Sequence, residues 1–154
     1  MKQLLKTNMT RKFILPLLLT GLIFISSCTT YLIPVDSFKA QFSGIDSTRF
    51  NEVTVKGPFG EGYKYLANPL KSIKCEDKKG NAHEISNGPS IEIRFTHGIN
   101  NKKTIYYFDR IYVNDIAVEG VQSSFISSIR KTIPLKDITK IEIQDGKKNF
   151  RYVK

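Results

Sequence analysis

Ser90-Ile91-Glu92-Ile93-Arg94-Phe95-Thr96 alternates polar and apolar residues over seven positions. A period of two puts Ile91, Ile93 and Phe95 on one face of a half-buried β-strand. The same pattern extends in both directions. Upstream, Glu52-Val53-Thr54-Val55-Lys56 and Ser72-Ile73-Lys74-Cys75-Glu76 alternate likewise. Downstream, Thr104 to Val113 is rich in Ile, Tyr, Phe and Val, Ile138 to Gln144 turns Ile141 and Ile143 inward, and Asn149-Phe150-Arg151-Tyr152-Val153 closes the chain. Between these runs, Asp77-Lys78-Lys79-Gly80-Asn81, Asn87-Gly88-Pro89, His97 through Lys103, Asn114-Asp115 and Asp145-Gly146-Lys147-Lys148 supply the Gly, Asn and Asp residues that tight turns require. The expected fold is all-β, a small antiparallel meander closing into a barrel or sandwich, after an N-terminal signal helix.

Two segments depart from that pattern. Ser37 to Gln41 has the composition of a short helix with Ser37 as its cap. Val121, Phe125, Ile129 and Ile133 recur every four residues, as on one face of a helix, yet the serines among them favour neither a stable helix nor a tidy alternating strand. Strand is the preferred reading there, with helix as the alternative.

With 154 residues the chain has room for one domain with a self-sufficient core. A hydrophobic fraction of 40% and a charged fraction of 25% exclude the low-hydrophobicity regime of disorder. There is no internal repeat and no low-complexity segment.

The N-terminus carries an address. Lys2, Lys6, Arg11 and Lys12 precede the apolar run Phe13 to Ile25, and Ser26-Ser27-Cys28 follows. This is the order of a secretory signal: a cationic head, a short apolar helix, then small residues for the peptidase. The run of 13 residues is shorter than the roughly 20 needed to span a bilayer. Ile25-Ser26-Ser27-Cys28 resembles the lipobox of bacterial lipoprotein precursors, which implies a diacylglyceryl group on the Cys28 thiol. The alternative is an uncleaved anchor continued through Tyr31, Leu32, Ile33 and Val35, and Pro34 opposes it. Met9 offers a second start, with the same mature product. The expected organisation is a signal peptide over 1–27, a lipidated tether over 28–37 and a single β domain over 38–154. In the enterobacterial sorting pattern, Thr29 rather than aspartate after the cysteine implies the outer membrane, and the lack of an acidic cluster there favours the periplasmic face.

Two further resemblances concern the body of the chain. Ile133-Pro134-Leu135-Lys136-Asp137-Ile138, running into Ile141-Glu142-Ile143, resembles the tight turn before a late strand in bacterial SH3-like barrels. As a whole the mature chain resembles small envelope lipoproteins of diderm bacteria, for which no activity is implied.

Catalytic signatures are weak. Once Cys28 carries lipid, Cys75 is the one remaining thiol, flanked by Lys74 and Glu76 in an alternating segment, and reads as a packed small hydrophobe. His83 and His97 each lie beside turn residues, with no pattern that makes a metal pair or a nucleophile system. Asp109, next to Arg110, reads as half of a local ion pair or a solvent-facing acid. Gly57-Pro58-Phe59-Gly60-Glu61-Gly62 lacks the Lys-Ser/Thr ending of a phosphate loop and reads as a flexible loop; Tyr63 and Tyr65 after it suggest a recognition loop for glycans or peptide stems. No catalytic residue, metal or cofactor is expected.

The formal net charge is +10, and removing the four basic residues of the leader leaves 20 basic against 14 acidic residues, a formal +6. In a simple meander successive turns alternate between the two ends of the sheet. Turn parity therefore gathers Lys78, Lys79, Lys102, Lys103, Arg130, Lys131 and Lys136 at one rim, with Lys147-Lys148 at the other. Seven cations would attract anionic lipid or lipopolysaccharide by roughly 1 kcal/mol each near a strongly anionic surface. Their plain alternative is solvated edge charge that deters aggregation. Export and the lack of an aromatic-basic motif disfavour nucleic acid as a partner. The expected function is a non-enzymatic binding or scaffold module, lipid-anchored in the envelope and contacting an anionic polymer or envelope protein. The alternatives are an accessory subunit of an envelope complex and a glycan- or peptidoglycan-contacting module.

Overall fold

The computed structural model describes residues 29–123 and 129–153. In chain order its strands begin with β1 (Thr30–Leu32), β2 (Asn51–Lys56), β3 (Gly62–Ala67), β4 (Ser72–Glu76), β5 (Ala82–Ser86) and β6 (Ile91–His97). They continue with β7 (Lys102–Tyr107), β8 (Tyr112–Val113), β9 (Ala117–Val121), β10 (Arg130–Pro134), β11 (Ile138–Asp145) and β12 (Arg151–Val153). One helix, α1 (Val35–Phe42), and single 3-10 turns at Ser47–Arg49, Phe108–Arg110 and Leu135–Asp137 complete the described residues. None of their helices is long and apolar enough to cross a membrane. Residues 1–28, where a leader ending at Cys28 is expected, lie outside the described residues.

All strand pairs are antiparallel, in three sheets ordered β5-β4-β1-β11-β6-β7, β10-β9-β8 and β12-β2-β3. The mostly-β expectation holds, but the barrel does not: β8–β10 and β12-β2-β3 pair among themselves, so no ring of hydrogen bonds closes. Nor is the chain a simple meander. β1, within the stretch read as a tether, lies between β4 and β11 and pairs Thr30 with Gln144 and Leu32 with both Glu142 and Glu76.

The alternating segments behave as their period dictates. Ile91, Ile93 and Phe95 of β6 and Ile141 and Ile143 of β11 are buried on one face, while Glu92, Arg94 and Glu142 face outward. Thr104 to Val113 breaks where β7 gives way to the Phe108–Arg110 turn and the two-residue β8. Val121 ends β9 and Ile133 lies in β10, paired with Val118, so both flanks of the ambiguous stretch are strand; residues 124–128 lie outside the described residues.

α1 covers the inner face of the large sheet with an aromatic cluster. Phe38 contacts Phe95 edge-on at 5.5 Å between ring centroids, and Phe42 meets Phe108 at 6.1 Å. Such pairs add to the roughly 1.5–3 kcal/mol that burial of each phenyl group contributes. Helix entry differs from expectation. Pro34, not Ser37, is the N-cap, and Ser37 lies inside the helix, its Oγ accepting from Gln41 Nε2 at 3.1 Å. Gln41 also extends the β4 ladder with its side chain: Oε1 accepts from the Lys74 amide at 2.7 Å and Nε2 donates to the Lys74 carbonyl at 3.1 Å.

Candidate functional site

The expected basic rim is divided by the insertion of β1. β4 and β11 are both antiparallel to β1, so they run in the same sense. The turn after Glu76, with Lys78 and Lys79, therefore lies toward the end where β11 finishes at Asp145. The 98–101 turn lies at the other end, where Ile138 pairs with His97 and the Gly98 amide donates to the Asp137 carbonyl at 2.9 Å. Lys102, Lys103 and Lys136 belong to that end. Lys131 joins them, since the neighbouring Lys102 pulls its ammonium below the ordinary lysine value. Arg130 points elsewhere, bonding Glu119 at 3.1 Å. Lys147, expected at the opposite rim from Lys78 and Lys79, follows Asp145 and so shares their end. Turn parity fails because it assumes that sequence neighbours are sheet neighbours, and a strand from the start of the chain separates β4 from the later hairpin.

The residues weighed for catalysis have structural partners. Cys75 is buried, and burial pushes its thiol up to about 11, so it stays protonated. His83 Nε2 is 3.4 Å from Asp77 Oδ2, and its ring is 4.9 Å from that of Tyr31. His97 Nε2 is 2.9 Å from Thr104 Oγ1; burial, then Lys131 and Lys102, hold its pKa below the ordinary histidine value. Among the described residues no three metal-ligating side chains converge. The glycine-rich segment is the β2–β3 hairpin turn, with Phe59 91% exposed at its tip. There Glu61 Oε2 accepts from the Phe59 amide at 2.9 Å. A carboxylate thus takes the amide that a phosphate loop would offer to an anion.

The unexpected feature is at Asp109 and Arg110. Asp109 has no exposed surface and the Arg110 side chain is 5% exposed. Asp109 Oδ2 accepts from the hydroxyls of Tyr65 and, at 3.0 Å, Tyr152. Its Oδ1 is 3.5 Å from Arg110 Nε. The guanidinium lies over the rings of Tyr65 at 4.2 Å and Tyr107 at 4.4 Å, and its Nη2 is buried without a hydrogen-bond partner among the described residues. Burial pushes the Asp109 carboxyl up while Tyr65, Arg110 and Tyr152 pull it back, and burial dominates. Burial and the adjacent Asp109 raise the Tyr65 hydroxyl far above its ordinary value, so it remains a donor.

The surroundings fix this cluster. The Asn68 amide donates to the Asp109 carbonyl at 2.8 Å and its Nδ2 to the Phe108 carbonyl at 2.7 Å, while Asn87 Nδ2 donates to the Leu70 carbonyl at 2.8 Å. Lys148, its Nζ 4.7 Å from the Tyr107 ring centroid, bonds Glu92 at 2.6 Å and the Tyr107 hydroxyl at 2.8 Å. Tyr65 and Tyr152 belong to the β12-β2-β3 sheet, so Asp109 ties that sheet to the end of β7.

Beside the cluster opens a cleft of about 480 Å³, lined by Phe50, Lys64, Tyr65, Leu66, Arg110, Tyr112, Glu119 and Arg130, with Ser47, Gly120 and Val121 completing the wall. Its lining holds three cations and one carboxylate. Gly120 is a packing necessity: a Cβ there would lie 2.4 Å from Cγ of Tyr106. A larger cleft of about 590 Å³ lies between the end of α1 and Tyr112–Asp115, lined by Lys39, Asp46 and Asp115 among mostly neutral groups. No family model, curated protein or solved structure gives a significant match to the chain.

Proposed function

We propose that this protein is a bacterial envelope lipoprotein, acylated at Cys28, whose β domain acts as a non-enzymatic binding or scaffold module on the periplasmic face of the outer membrane. The leader carries the proposal: a basic head, an apolar run too short to span, and Ile25-Ser26-Ser27-Cys28. The fold is consistent with it. β1 starts at Thr30, two residues past the cysteine, and is hydrogen-bonded on both sides. An acylated Cys28 would hold the domain against the bilayer rather than on a long leash, since two residues reach only about 7 Å. The end of the sheet that starts at Thr30 also carries Lys78, Lys79 and Lys147, which suit contact with lipid phosphates at roughly 1 kcal/mol each.

The test combines attachment and orientation. Cells expressing the full chain should incorporate labelled palmitate, and Cys28→Ala should abolish this and release the protein from membranes. Residues 29–154 should bind anionic vesicles in a salt-dependent way that weakens when Lys78, Lys79 and Lys147 are neutralised. Binding that is indifferent to salt and to those changes would refute the basic-contact part. A stoichiometric protein recovered with the solubilised lipoprotein would favour the accessory-subunit reading instead.

A further inference from the structure

We infer that the cleft beside Arg110 binds a small organic anion, a carboxylate or phosphate ester carried on a ring or other compact apolar body. The inference does not depend on membrane attachment. Arg110 is the reason for the anion. Its counter-ion reaches only Nε, at 3.5 Å, because the other carboxylate oxygen of Asp109 is engaged by Tyr65 and Tyr152. That leaves Nη2 a buried donor with no acceptor among the described residues, in a side chain that forms part of the cleft wall. A buried charged donor left unsatisfied is costly, and an oxyanion answers it with a charge-assisted bond.

The guanidinium is also held ready. Tyr65 and Tyr107 clamp it at 4.2 and 4.4 Å, so little side-chain freedom remains to be lost on binding. Arg130 and Lys64 reinforce the field from the rim. Each has one carboxylate contact, Glu119 at 3.1 Å and Glu52 at 3.0 Å, but both side chains are 64% exposed, where such pairs are weak and exchange readily.

The remaining wall sets the body of the ligand. Phe50, Leu66, Tyr65 and Tyr112 present apolar and aromatic surface, and Leu66 is 59% exposed. A space of about 480 Å³ exceeds the needs of a free inorganic ion and falls in the size range of small-molecule sites, roughly 300–1,000 Å³. Aromatic rings beside a fixed arginine suit a cyclic molecule that stacks while its acid group reaches the guanidinium.

Phenyl phosphate and benzoate, titrated into residues 29–154 by calorimetry and amide NMR, test this against inorganic phosphate and neutral benzyl alcohol. Saturable binding of at least one aromatic anion is expected, with shifts at Phe50, Tyr65, Tyr112 and Gly120, and affinity about tenfold or more above both controls. Arg110→Lys, which keeps the charge but loses the guanidinium fork, should cost about tenfold or more. Should that variant not fold, Arg130→Ala decides, because its side chain is largely exposed: it should weaken binding about threefold at low salt with an unchanged thermal midpoint. No saturation at millimolar probe, equal affinity for benzyl alcohol or inorganic phosphate, shifts confined to the Lys102–Lys131 end, or binding untouched by both substitutions would each overturn the inference.

Discussion

Asp109→Ala tests the energetics of the centre most sharply. The substitution leaves the Arg110 guanidinium, 5% exposed and flanked by Tyr65 and Tyr107, without its counter-ion among the described residues. Removing one partner of a buried pair costs about 3–5 kcal/mol because the surviving charge loses its counter-ion where it has little exposure to water. The hydroxyls of Tyr65 and Tyr152 lose their shared acceptor as well, which detaches β12 from the end of β7. Against a typical stability of about 5–15 kcal/mol this is a large fraction. For a domain of this size it lowers the thermal midpoint by roughly 10–25 °C. Urea denaturation followed by far-ultraviolet circular dichroism, with near-ultraviolet tyrosine signals as a second probe, gives the value directly. The paired replacement Asp109→Leu with Arg110→Met removes both charges at similar volume and should recover most of the loss. A single-variant cost below about 1 kcal/mol, or a double variant no better than the single, would refute the reasoning.

Gly120→Ala should destabilise by about 2–5 kcal/mol in the same assay, because its Cβ would lie 2.4 Å from Cγ of a fully buried Tyr106 whose hydroxyl donates to the Lys131 carbonyl at 2.8 Å; Tyr106→Leu in the same background should relieve part of it. Cys75, buried and with its thiol pushed up to about 11, should resist iodoacetamide at pH 8 in the native protein and react on unfolding; rapid native alkylation measured by mass spectrometry would contradict the packed-core reading. Asp77 is held down to about 2 by bonds from the Asn81 side chain and the Asn81 and Lys79 amides, so its ionised form supports the β4–β5 turn above the unfolded value near 3.8 and that support is lost as pH falls toward 2. The stability advantage of the wild type over Asp77→Ala should therefore shrink across that window, and a constant difference between pH 6 and pH 2 would refute the assignment.

The alternating strands were legible because half-burial imposes the period they show: Ser72 to Glu76 is β4 residue for residue, and the opening heptapeptide is β6 shifted by one. β1 was hidden for a different reason. Three residues before a proline carry no local pattern, and their pairing with Gln144, Ile143 and Glu142 joins the two ends of the domain. That single non-local insertion also broke the turn-parity argument for a common lysine rim. The local Asp109–Arg110 pair was legible, but its burial was not, because an adjacent Asp-Arg pair in an apolar run resembles a surface ion pair. A signal was present: two consecutive charges in a strand face opposite sides, so one of them must be accommodated inward. The chain solves this with a 3-10 turn at Phe108–Arg110 that buries both.

The address rests on Cys28, and intact-mass and amino-terminal analysis of the protein purified from membranes of its native host tests it most directly. The expected product begins at Cys28, lacks residues 1–27 and carries a diacylglyceryl group on the sulfur with a further acyl chain on the amine. A product that retains Met1 or Met9 and bears no fatty acid would contradict the lipoprotein account.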